Sequence, residues 1–495
     1  MAPSRQTPRS NRRRHNRRRH PRRPHHLSRE APMATDLLYG LLPEHILLGL
    51  ILVLMLLEIL SVDKRAGSAL FIASLLAGAG VLVMQLQTGY TADIVMNEIR
   101  IDRFSEIGRL IIVSCGAILG VYSLSSEAGH KYWILIASSL LGAMIILDSA
   151  GFISLFMGIE ILSLPGFALM VLNNGKSTAS EGSIKYLLLS SVATALVLFG
   201  LSLVYGSTGN LNISSFTAAV ATGGVQNLAA SVMILSGFFL KASVFPFHGW
   251  APDAYSSARL PVTAFLASIV KAAVVLGLVR ILGNAVLNPE AVTVIALLSM
   301  LSMFYGNITA IHQTAFKKML AYSSISHAGY MMFALVDNTG ARTEALLYYV
   351  AVYAVTTITA CACFSILSGE DDNLDNLNGI FRKKPVAAIL LSLCVLSLAG
   401  IPPLPGFLAK FFVFKTVIAS GHLTVAVLAF VASYIGTFFY LGVVLRMFRS
   451  DAETVEQPAN ATCLCWTWGG ALLGTLALAL FMLLPNIFHW VMTGL

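Results

Sequence analysis

The sequence is short of charge. Only 12% of its 495 residues are Asp, Glu, Lys or Arg, whereas 56% are hydrophobic. A soluble protein of this length carries roughly twice that charged fraction, so a soluble globular fold is excluded. Apolar stretches of about 20 residues, each long enough to cross a bilayer, recur along almost the whole chain. The composition therefore predicts a polytopic helical membrane protein.

Cysteine is also scarce, and its placement argues against a metal or redox centre. Cys361 and Cys363 form a C-x-C pair, but they lie in an apolar segment without a nearby His or Asp. Cysteine in such helices is usually a small packing residue. The Gly-Ala-Gly at 78–80 lies inside an apolar span, not between a strand and a helix as a dinucleotide fingerprint would. We expect no metal, iron–sulfur cluster, flavin or disulfide in this chain.

Acidic residues are missing from the start of the chain. Residues 1–29 contain eleven arginines and no acid, whereas 22 basic and 24 acidic residues follow from Glu30 onward. This tail has no apolar core, so it is not a secretory signal; a nucleic-acid or anionic-lipid patch is the alternative. We interpret residues 1–32 as a basic disordered extension or a mis-assigned start, because Met33 opens a normal membrane-protein beginning, and we expect no nucleic-acid partner.

Hydropathy predicts an all-α protein with about fourteen transmembrane helices. The predicted spans are 43–62, 68–87, 106–126, 131–149, 152–172, 182–205, 228–250, 261–283, 290–311, 317–337, 343–367, 385–419, 424–448 and 467–491. Two of them are interrupted, the seventh near Lys241–Pro246 and the twelfth at Pro402–Pro405. Interrupted helices at matching positions of two halves indicate an inverted-repeat protein with its working site near the membrane midplane.

The two breaks lie five spans apart, which predicts two inverted five-helix repeats. The expected divisions are 33–130 for helices 1–3, 131–285 for the first repeat (helices 4–8), 286–450 for the second repeat (helices 9–13) and 451–495 for a loop and helix 14. The longest stretches expected to be irregular are 88–105, 206–227, 368–384 and 450–462. None of these stretches is long enough for a separate soluble domain.

Loop charges predict how the chain is oriented. Loops after odd-numbered spans hold twelve Lys and Arg residues, whereas loops after even-numbered spans hold about five. Because positively charged loops face the cytoplasm, both termini are expected on the outer side. The arginine tail would then lie on the unfavourable side, which is a second reason to set it apart.

Several ionisable residues fall inside predicted spans, where each charge costs roughly 2.5–3.5 kcal/mol on insertion scales. They are Glu160, Lys185, Lys241, Lys271, His327 and Lys410. Lys185 lies near the start of its span and could extend to the interface, and His327 could be a hydrogen-bonded packing residue. Glu58 and Asp148 lie near span ends, where an interfacial position is expected. The other three lysines are the hardest to explain as packing.

Proton transfer is the chemistry that suits such residues. An amine in a low-dielectric site releases its proton far more readily than one in water, and a nearby carboxylate favours the protonated form. Broken helices leave backbone groups that are tolerated where they line water. Lysines, histidines and water could thus form a proton path. The alternative, a transporter that binds an anion through a buried lysine, has little other polar lining to support it.

Three motifs carry a resemblance to a known family. The segments LKASVFPFHGWAPDAYSSARLPVTAFLASIVKAA (240–273), KKMLAYSSISHAGYMM (317–332) and LAGIPPLPGFLAKFFVF (398–414) resemble the antiporter-like, proton-pumping membrane subunits of respiratory complex I, which are related to Mrp-type cation/proton antiporter subunits. The resemblance runs from about residue 43 to the end. Lys410 in span twelve favours the N-type branch, since M-type subunits carry glutamate there. The chain end at 495 leaves no room for the lateral helix expected of an L-type subunit.

The resemblance implies a proton path through four residues: Glu160 pairs with Lys241, Lys271 links to the exit half, and Lys410 is the terminal lysine. Lys185 and His327 would be supporting relay residues. His248, beside the first break, would either extend the path or only hydrogen-bond the loop before Trp250.

The resemblance also implies the setting in which the chain works. The chain would be one subunit of a bacterial inner-membrane NADH:quinone oxidoreductase, in contact with lipid, water, protons and other membrane subunits, including the other antiporter-like ones. FMN, iron–sulfur clusters and quinone would belong to partner subunits. Two alternatives remain: an Mrp-type antiporter subunit, and a scaffold whose charges only lock helix packing.

Overall fold

The computed structural model describes residues 36–124, 129–172, 174–175, 177–222, 224–283, 285, 287–338, 340–369, 371–449 and 461–483. The predicted extension 1–32 and most of the predicted loop 450–462 lie outside these residues. Helices account for most of the described chain. They are α1 Leu42–Ile59, α2 Lys64–Thr88, α3 Arg103–Ser123, α4 His130–Asp148, α5 Phe152–Val171, α6 Ser177–Thr208, α7 Ile213–Thr222, α8 Val225–Lys241, α9 Trp250–Ser257, α10 Leu260–Leu282, α11 Pro289–Ile311, α12 Phe316–Val336, α13 Arg342–Ser368, α14 Pro385–Ala399, α15 Pro405–Ala419, α16 Leu423–Met447 and α17 Ala461–Leu483.

Eleven of the described helices are long and apolar enough to cross a membrane: α1 to α6, α10 to α13, and α16. Shorter apolar helices are α8, α14 and the stretch Cys465–Phe481 within α17. The prediction of a helical, multi-pass membrane protein is therefore confirmed. The total of fourteen stays a prediction, because it counts α8 with α9, and α14 with α15, as one span each.

Three helices form the interior of the molecule. Every residue in the most apolar 18-residue window of α10 is buried, and 94% of the corresponding windows of α12 and α13 are buried. By contrast, only 28% of the residues in the corresponding window of α1, and likewise of α2, are buried. A helix that is apolar on all sides is buried by its neighbours or by lipid. Lys271 on α10 and His327 on α12 are therefore enclosed by protein.

The first interrupted span consists of α8 and α9. Helix α8 ends because Ser243 takes the left-handed conformation, with φ of 58°. The amides of Ser243 and Val244 then bond back to the carbonyls of Leu240 and Phe239, which is a Schellman helix end. Across the break, the Trp250 indole donates to the Leu240 carbonyl at 2.7 Å. The break is thus closed by side chains that satisfy freed backbone groups.

The second interrupted span consists of α14 and α15 and ends its first half in the same way. Gly400 takes φ of 84°, and the amides of Gly400 and Ile401 bond to the carbonyls of Ser397 and Leu396. The Gly406 amide then donates to the Ser397 hydroxyl at 3.1 Å. Both predicted helix breaks are confirmed.

The structure differs from the predicted outline in the stretches expected to be irregular. Residues 88–105 contain an antiparallel hairpin of β1 (Ala92–Ile94) and β2 (Ile99–Ile101), so the chain is not purely α-helical. The stretch 206–227 contains the short helix α7. Helix α10 also includes a π-helical turn, Leu266–Val270, directly before Lys271. These elements are too short for hydropathy to detect.

Candidate functional site

The Lys241 side chain lies at the end of α8 and is almost fully buried. Its Nζ donates to the Ser190 hydroxyl at 2.8 Å, to the Ser163 hydroxyl at 3.0 Å, and to Glu160 Oε1 at 3.5 Å. The same carboxylate oxygen accepts from the Thr194 hydroxyl at 2.6 Å. Helices α5, α6 and α8 therefore bring Glu160 and Lys241 into contact.

Lys271 lies at the centre of α10 and is 2% exposed. Its Nζ bonds to the Ser243 hydroxyl at 2.9 Å and to the Ser324 carbonyl at 2.7 Å, and it also contacts the Ser324 hydroxyl. No carboxylate of a described residue lies within ion-pair distance of it. Ser243 belongs to the first break and follows Lys241 by two residues. The short segment after α8 therefore links Lys241 to Lys271.

His327 lies on α12 between two tyrosines. Its Nδ1 is 2.8 Å from the Tyr349 hydroxyl and its Nε2 is 3.2 Å from the Tyr440 hydroxyl. Tyr440 also contacts the Ser323 hydroxyl. Both ring nitrogens therefore face groups that can either donate or accept a hydrogen bond.

Lys410 lies on α15, one helical turn after the second break. Its Nζ donates to the Ala399 carbonyl at 2.8 Å and to the Ser433 hydroxyl at 2.9 Å, and it lies 4.8 Å from the centre of the Tyr330 ring. The Ala399 carbonyl is a free group at the C-terminus of α14, the end of a helix that favours a positive charge. The break thus supplies one ligand of the lysine.

Helix α12 joins these clusters. It carries Ser323 and Ser324, His327 and Tyr330 at steps of three or four residues, which lie on one helical face. That face meets Lys271 at Ser324 and Lys410 at Tyr330. The buried polar groups therefore follow one line from α5 to α15 through the protein interior.

The ligands of the three buried lysines fit two protonation states. An ammonium has three donors and no acceptor, whereas a neutral amine has two donors and one lone pair, and a serine hydroxyl can donate or accept. At Lys271 and Lys410 a carbonyl takes one N–H in either state, and a serine can reverse its hydroxyl when the proton leaves. Such a site can hold the lysine with or without its extra proton, although a reversed Ser243 hydroxyl would give up its bond to the Ala242 carbonyl.

Two further predicted residues lie apart from this line. Lys185 is 45% exposed and pairs with Glu181 and Asp253, each at 2.8 Å, which places it at the edge of the protein. The half-buried His248 ring packs against the rings of Phe245 and Tyr305, with centroid distances of 5.3 and 4.4 Å. Its Nδ1 has no hydrogen-bond partner among the described residues.

Sequence reasoning missed most of the partner groups, chiefly hydroxyls. They are Ser163, Ser190, Thr194, Ser243, Ser433, Tyr330, Tyr349 and Tyr440. Serine and tyrosine are common in apolar helices, so composition does not single them out. The one usable signal was the serine run around His327. The tyrosines of α13 and α16 become significant only once tertiary packing brings them to that histidine.

The two residues expected at the interface differ in burial. Asp148 lies at the end of α4 but is fully buried, with Oδ1 3.2 Å from Arg109 Nε. The hairpin and the N-terminal part of α1 cover this end of the bundle, so position near a span end did not mean exposure. Glu58, in contrast, is only partly buried and lies 3.5 Å from Lys131.

The amino-acid sequence is similar to a known protein family and to named relatives. The family described as "NADH:quinone oxidoreductase/Mrp antiporter, TM" matches residues 149–436. NADH-quinone oxidoreductase subunit N from Desulforamulus reducens is 34% identical over 364 residues, which cover 71% of this chain and 76% of the relative. The subunit of the same name from Desulfovibrio desulfuricans is 34% identical over 460 residues, covering 87% of this chain and 90% of the relative.

Solved structures agree with the sequence comparison. A chain of respiratory complex I from Thermus thermophilus with bound aureothin is 30% identical, with a TM-score of 0.78 over 90% of this chain and 98% of that one. A chain of the Mrp complex from Dietzia sp. DQ12-45-1b has a TM-score of 0.81 over 91% of this chain and 96% of that one, at 18% identity. At that identity the second likeness concerns the fold alone.

Proposed function

Because the chain belongs to the NADH:quinone oxidoreductase/Mrp antiporter family, as a member of its NADH-quinone oxidoreductase subunit N branch, we propose that it moves protons across the membrane. The chain is a membrane-embedded subunit of NADH-quinone oxidoreductase. The observation that carries the proposal is the line of buried lysines whose ligands suit both protonation states. A scaffold that only locked helices together has no use for ligands that suit two protonation states.

In this proposal, Glu160 controls the first step. An opposite charge nearby favours the protonated lysine, so the Glu160 contact holds a proton on Lys241. When that contact opens, the proton passes toward Lys271 past Ser243, and then along α12 past Ser324 and His327 to Lys410. Lys185 and His248 act at the ends of the path rather than within it.

The driving force comes from other subunits. NADH oxidation requires FMN and iron–sulfur clusters, and the electrons end on quinone; all of these we assign to partner subunits of the complex. Their redox steps reach this subunit as a change of charge or of helix position at Glu160. The repeats at 131–285 and 286–450 then act as two half-modules, one around each helix break, in a bacterial inner membrane with both termini outside.

A role in an Mrp-type antiporter is the second candidate, and it has less support. The relatives at 34% identity are all named for NADH-quinone oxidoreductase, whereas the Mrp likeness at 18% identity concerns the fold alone. Affinity purification of the tagged chain from its native membrane separates the two. Flavin- and iron–sulfur-containing subunits that co-purify favour the oxidoreductase, and their absence favours the antiporter.

Proton pumping itself is tested with Lys241→Ala in the assembled complex. We expect NADH-driven acidification of inverted vesicles, measured per NADH oxidised, to fall by the share that this subunit contributes, since the alanine cannot hold a proton. Lys415→Ala is the matched control, because Lys415 is an exposed lysine on α15. Unchanged pumping by the Lys241 variant, in a complex of normal composition, would remove this residue from the path.

A further inference from the structure

A second group of buried charges lies away from the lysine line, where α1, α3 and α4 meet the hairpin. Its members are Glu44, Glu106, Arg109 and Asp148, whose exposed fractions are 6%, 1%, 0% and 0%. Arg109 Nη1 is 3.1 Å from Glu44 Oε1 and 3.3 Å from Asp148 Oδ2. Its Nε is 3.2 Å from Asp148 Oδ1. The one guanidinium thus lies between two carboxyl groups.

Charge does not balance in this group if every member is ionised. One guanidinium against three carboxylates leaves two uncompensated negative charges, and burying even one such charge costs several kcal/mol. Glu44 and Asp148 both contact the same nitrogen of Arg109, Nη1, and two like charges held this close in a low-dielectric interior repel each other unless one group carries a proton. Protons are therefore needed to make the arrangement stable.

Glu106 is the member least suited to be ionised. It shares the first turns of α3 with Arg109, yet the guanidinium bonds to Glu44 and Asp148. Glu106 Oε1 is buried and has no hydrogen-bond partner among the described residues. An unpaired buried carboxylate is far more costly than a neutral carboxylic acid.

The surrounding charges compensate Glu106 only in part: Arg109 attracts it, but Glu106 Oε1 has no hydrogen-bond partner among the described residues. Asp102 and Arg103, on the turn before Glu106, act on it in opposite senses. Arg280 faces Asp148 from α10, but its Nη1 is held by Asp102 at 2.5 Å and its Nε by the Ser149 carbonyl at 2.7 Å. A metal ion does not fit either: the guanidinium occupies the space between the carboxyl groups, and the described residues contain no cluster suited to hold a metal.

We propose that Glu44, Glu106, Arg109 and Asp148 form a separate proton-binding centre, in which Glu106 is a neutral carboxylic acid in the folded protein at neutral pH. None of the four belongs to the lysine line. Arg280 connects the centre to α10, the helix that carries Lys271, because it bonds to Asp102 before α3 and to Ser149 after α4. A displacement of α10 would therefore reach α3 and α4, the helices that carry Glu106 and Asp148.

Infrared spectroscopy of the purified complex at neutral pH tests the proposal. The spectrum of the wild type minus that of Glu106→Gln is expected to contain the C=O stretching band of one protonated carboxylic acid. Glu290→Gln is the matched control: Glu290 occupies the first turn of α11 as Glu106 does that of α3, but it is exposed. Its difference spectrum should lack the band. A Glu106 difference spectrum without the band would overturn the proposal.

Assembly of the complex gives a second readout. Glutamine matches a neutral glutamic acid in size and charge, so Glu106→Gln is expected to assemble at the wild-type level. Arg109→Gln should assemble poorly, because Glu44 and Asp148 lose the cation between them. Failure of Glu106→Gln to assemble, or normal assembly of Arg109→Gln, would contradict the proposed charge state. Neither measurement depends on proton pumping. This proposal can therefore fail while the lysine path is supported, and the lysine path can fail while this proposal is supported.

Discussion

The buried lysines differ in their partners. Lys241 shares Glu160 with Thr194, and its contact to the carboxylate, at 3.5 Å, is the longest of its three polar contacts. Lys271 and Lys410 donate hydrogen bonds to hydroxyl and carbonyl oxygens of serine and alanine residues. A tight, buried ion pair would hold its proton permanently, because separating two charges in a low-dielectric interior is costly. In the proposed path, loose or neutral ligation leaves each lysine able to exchange a proton.

Replacing Glu160 by glutamine removes the negative charge and keeps the size of the side chain, so it tests the charge alone. The amide can still accept the Thr194 hydrogen bond, so we expect normal assembly of the complex. Lys241 loses the group that favours its protonated form, and pumping per NADH oxidised should fall as in Lys241→Ala. Glu290→Gln, which alters an exposed carboxylate on α11, should leave pumping unchanged. Wild-type pumping by the Glu160 variant would show that the pair is structural.

Gly400 should tolerate no side chain, for two separate reasons. Its φ of 84° disfavours any other residue, and an added Cβ would lie 2.9 Å from Lys410 Cδ. Gly421 has nearly the same φ, 87°, but open space around the added atom. Gly421→Ala should therefore cost only the backbone strain, about 1–2 kcal/mol.

The Gly400→Ala variant should cost that strain and also displace Lys410 from the Ala399 carbonyl. We expect lower thermal stability of the complex than in Gly421→Ala, together with reduced pumping. If the two variants have equal stability and equal pumping, the close approach of Gly400 to Lys410 does not matter for function.

At the scale of elements, α12 and the two helix breaks organise the site. The breaks end their first halves with the same pattern of backbone bonds, at Ser243 and at Gly400. Each then supplies a ligand to a lysine: the Ser243 hydroxyl to Lys271, and the Ala399 carbonyl to Lys410. Helix α12 connects the two regions, so its side-chain contacts should affect proton movement more than stability.

Tyr440→Phe tests this view of α12. The change removes the hydroxyl that contacts Ser323 and His327, while the ring and its packing remain. Loss of such a hydrogen bond costs about 1 kcal/mol of stability, so the complex should still assemble, but pumping should fall. Tyr434→Phe on the same helix, at a residue 64% exposed, is the control and should behave as wild type. Equal pumping by both variants would exclude Tyr440 from the path.

At the scale of the molecule, the orientation predicted from loop charges can be measured directly. Asp93 in the hairpin and Lys318 at the start of α12 are exposed and lie in loops assigned to opposite sides. A membrane-impermeant maleimide is added to cells whose outer membrane is permeabilised and whose inner membrane is intact. It should label Asp93→Cys but not Lys318→Cys. Inverted vesicles should give the opposite result. Labelling of both positions from one side would reject the orientation.

The sequence alone was sufficient for the class of fold and for several candidate residues. Apolar runs require a bilayer or a deep core to be stable, and a proline or a charge inside such a run stands out against it. For this reason Lys241, Lys271, Lys410 and the two broken helices could be predicted, and the structure confirms the breaks.

Only the tertiary structure decided which groups face one another. Ser190, Ser243 and Tyr440 do not stand out along the chain, and they become ligands because α6, the break after α8, and α16 bring them to the buried ionisable groups. The same holds for Arg109 and its carboxyl neighbours, which come from three helices. Hydropathy depends on each residue and its local neighbours along the chain. A hydrogen bond depends on distances between helices, and packing alone sets those distances.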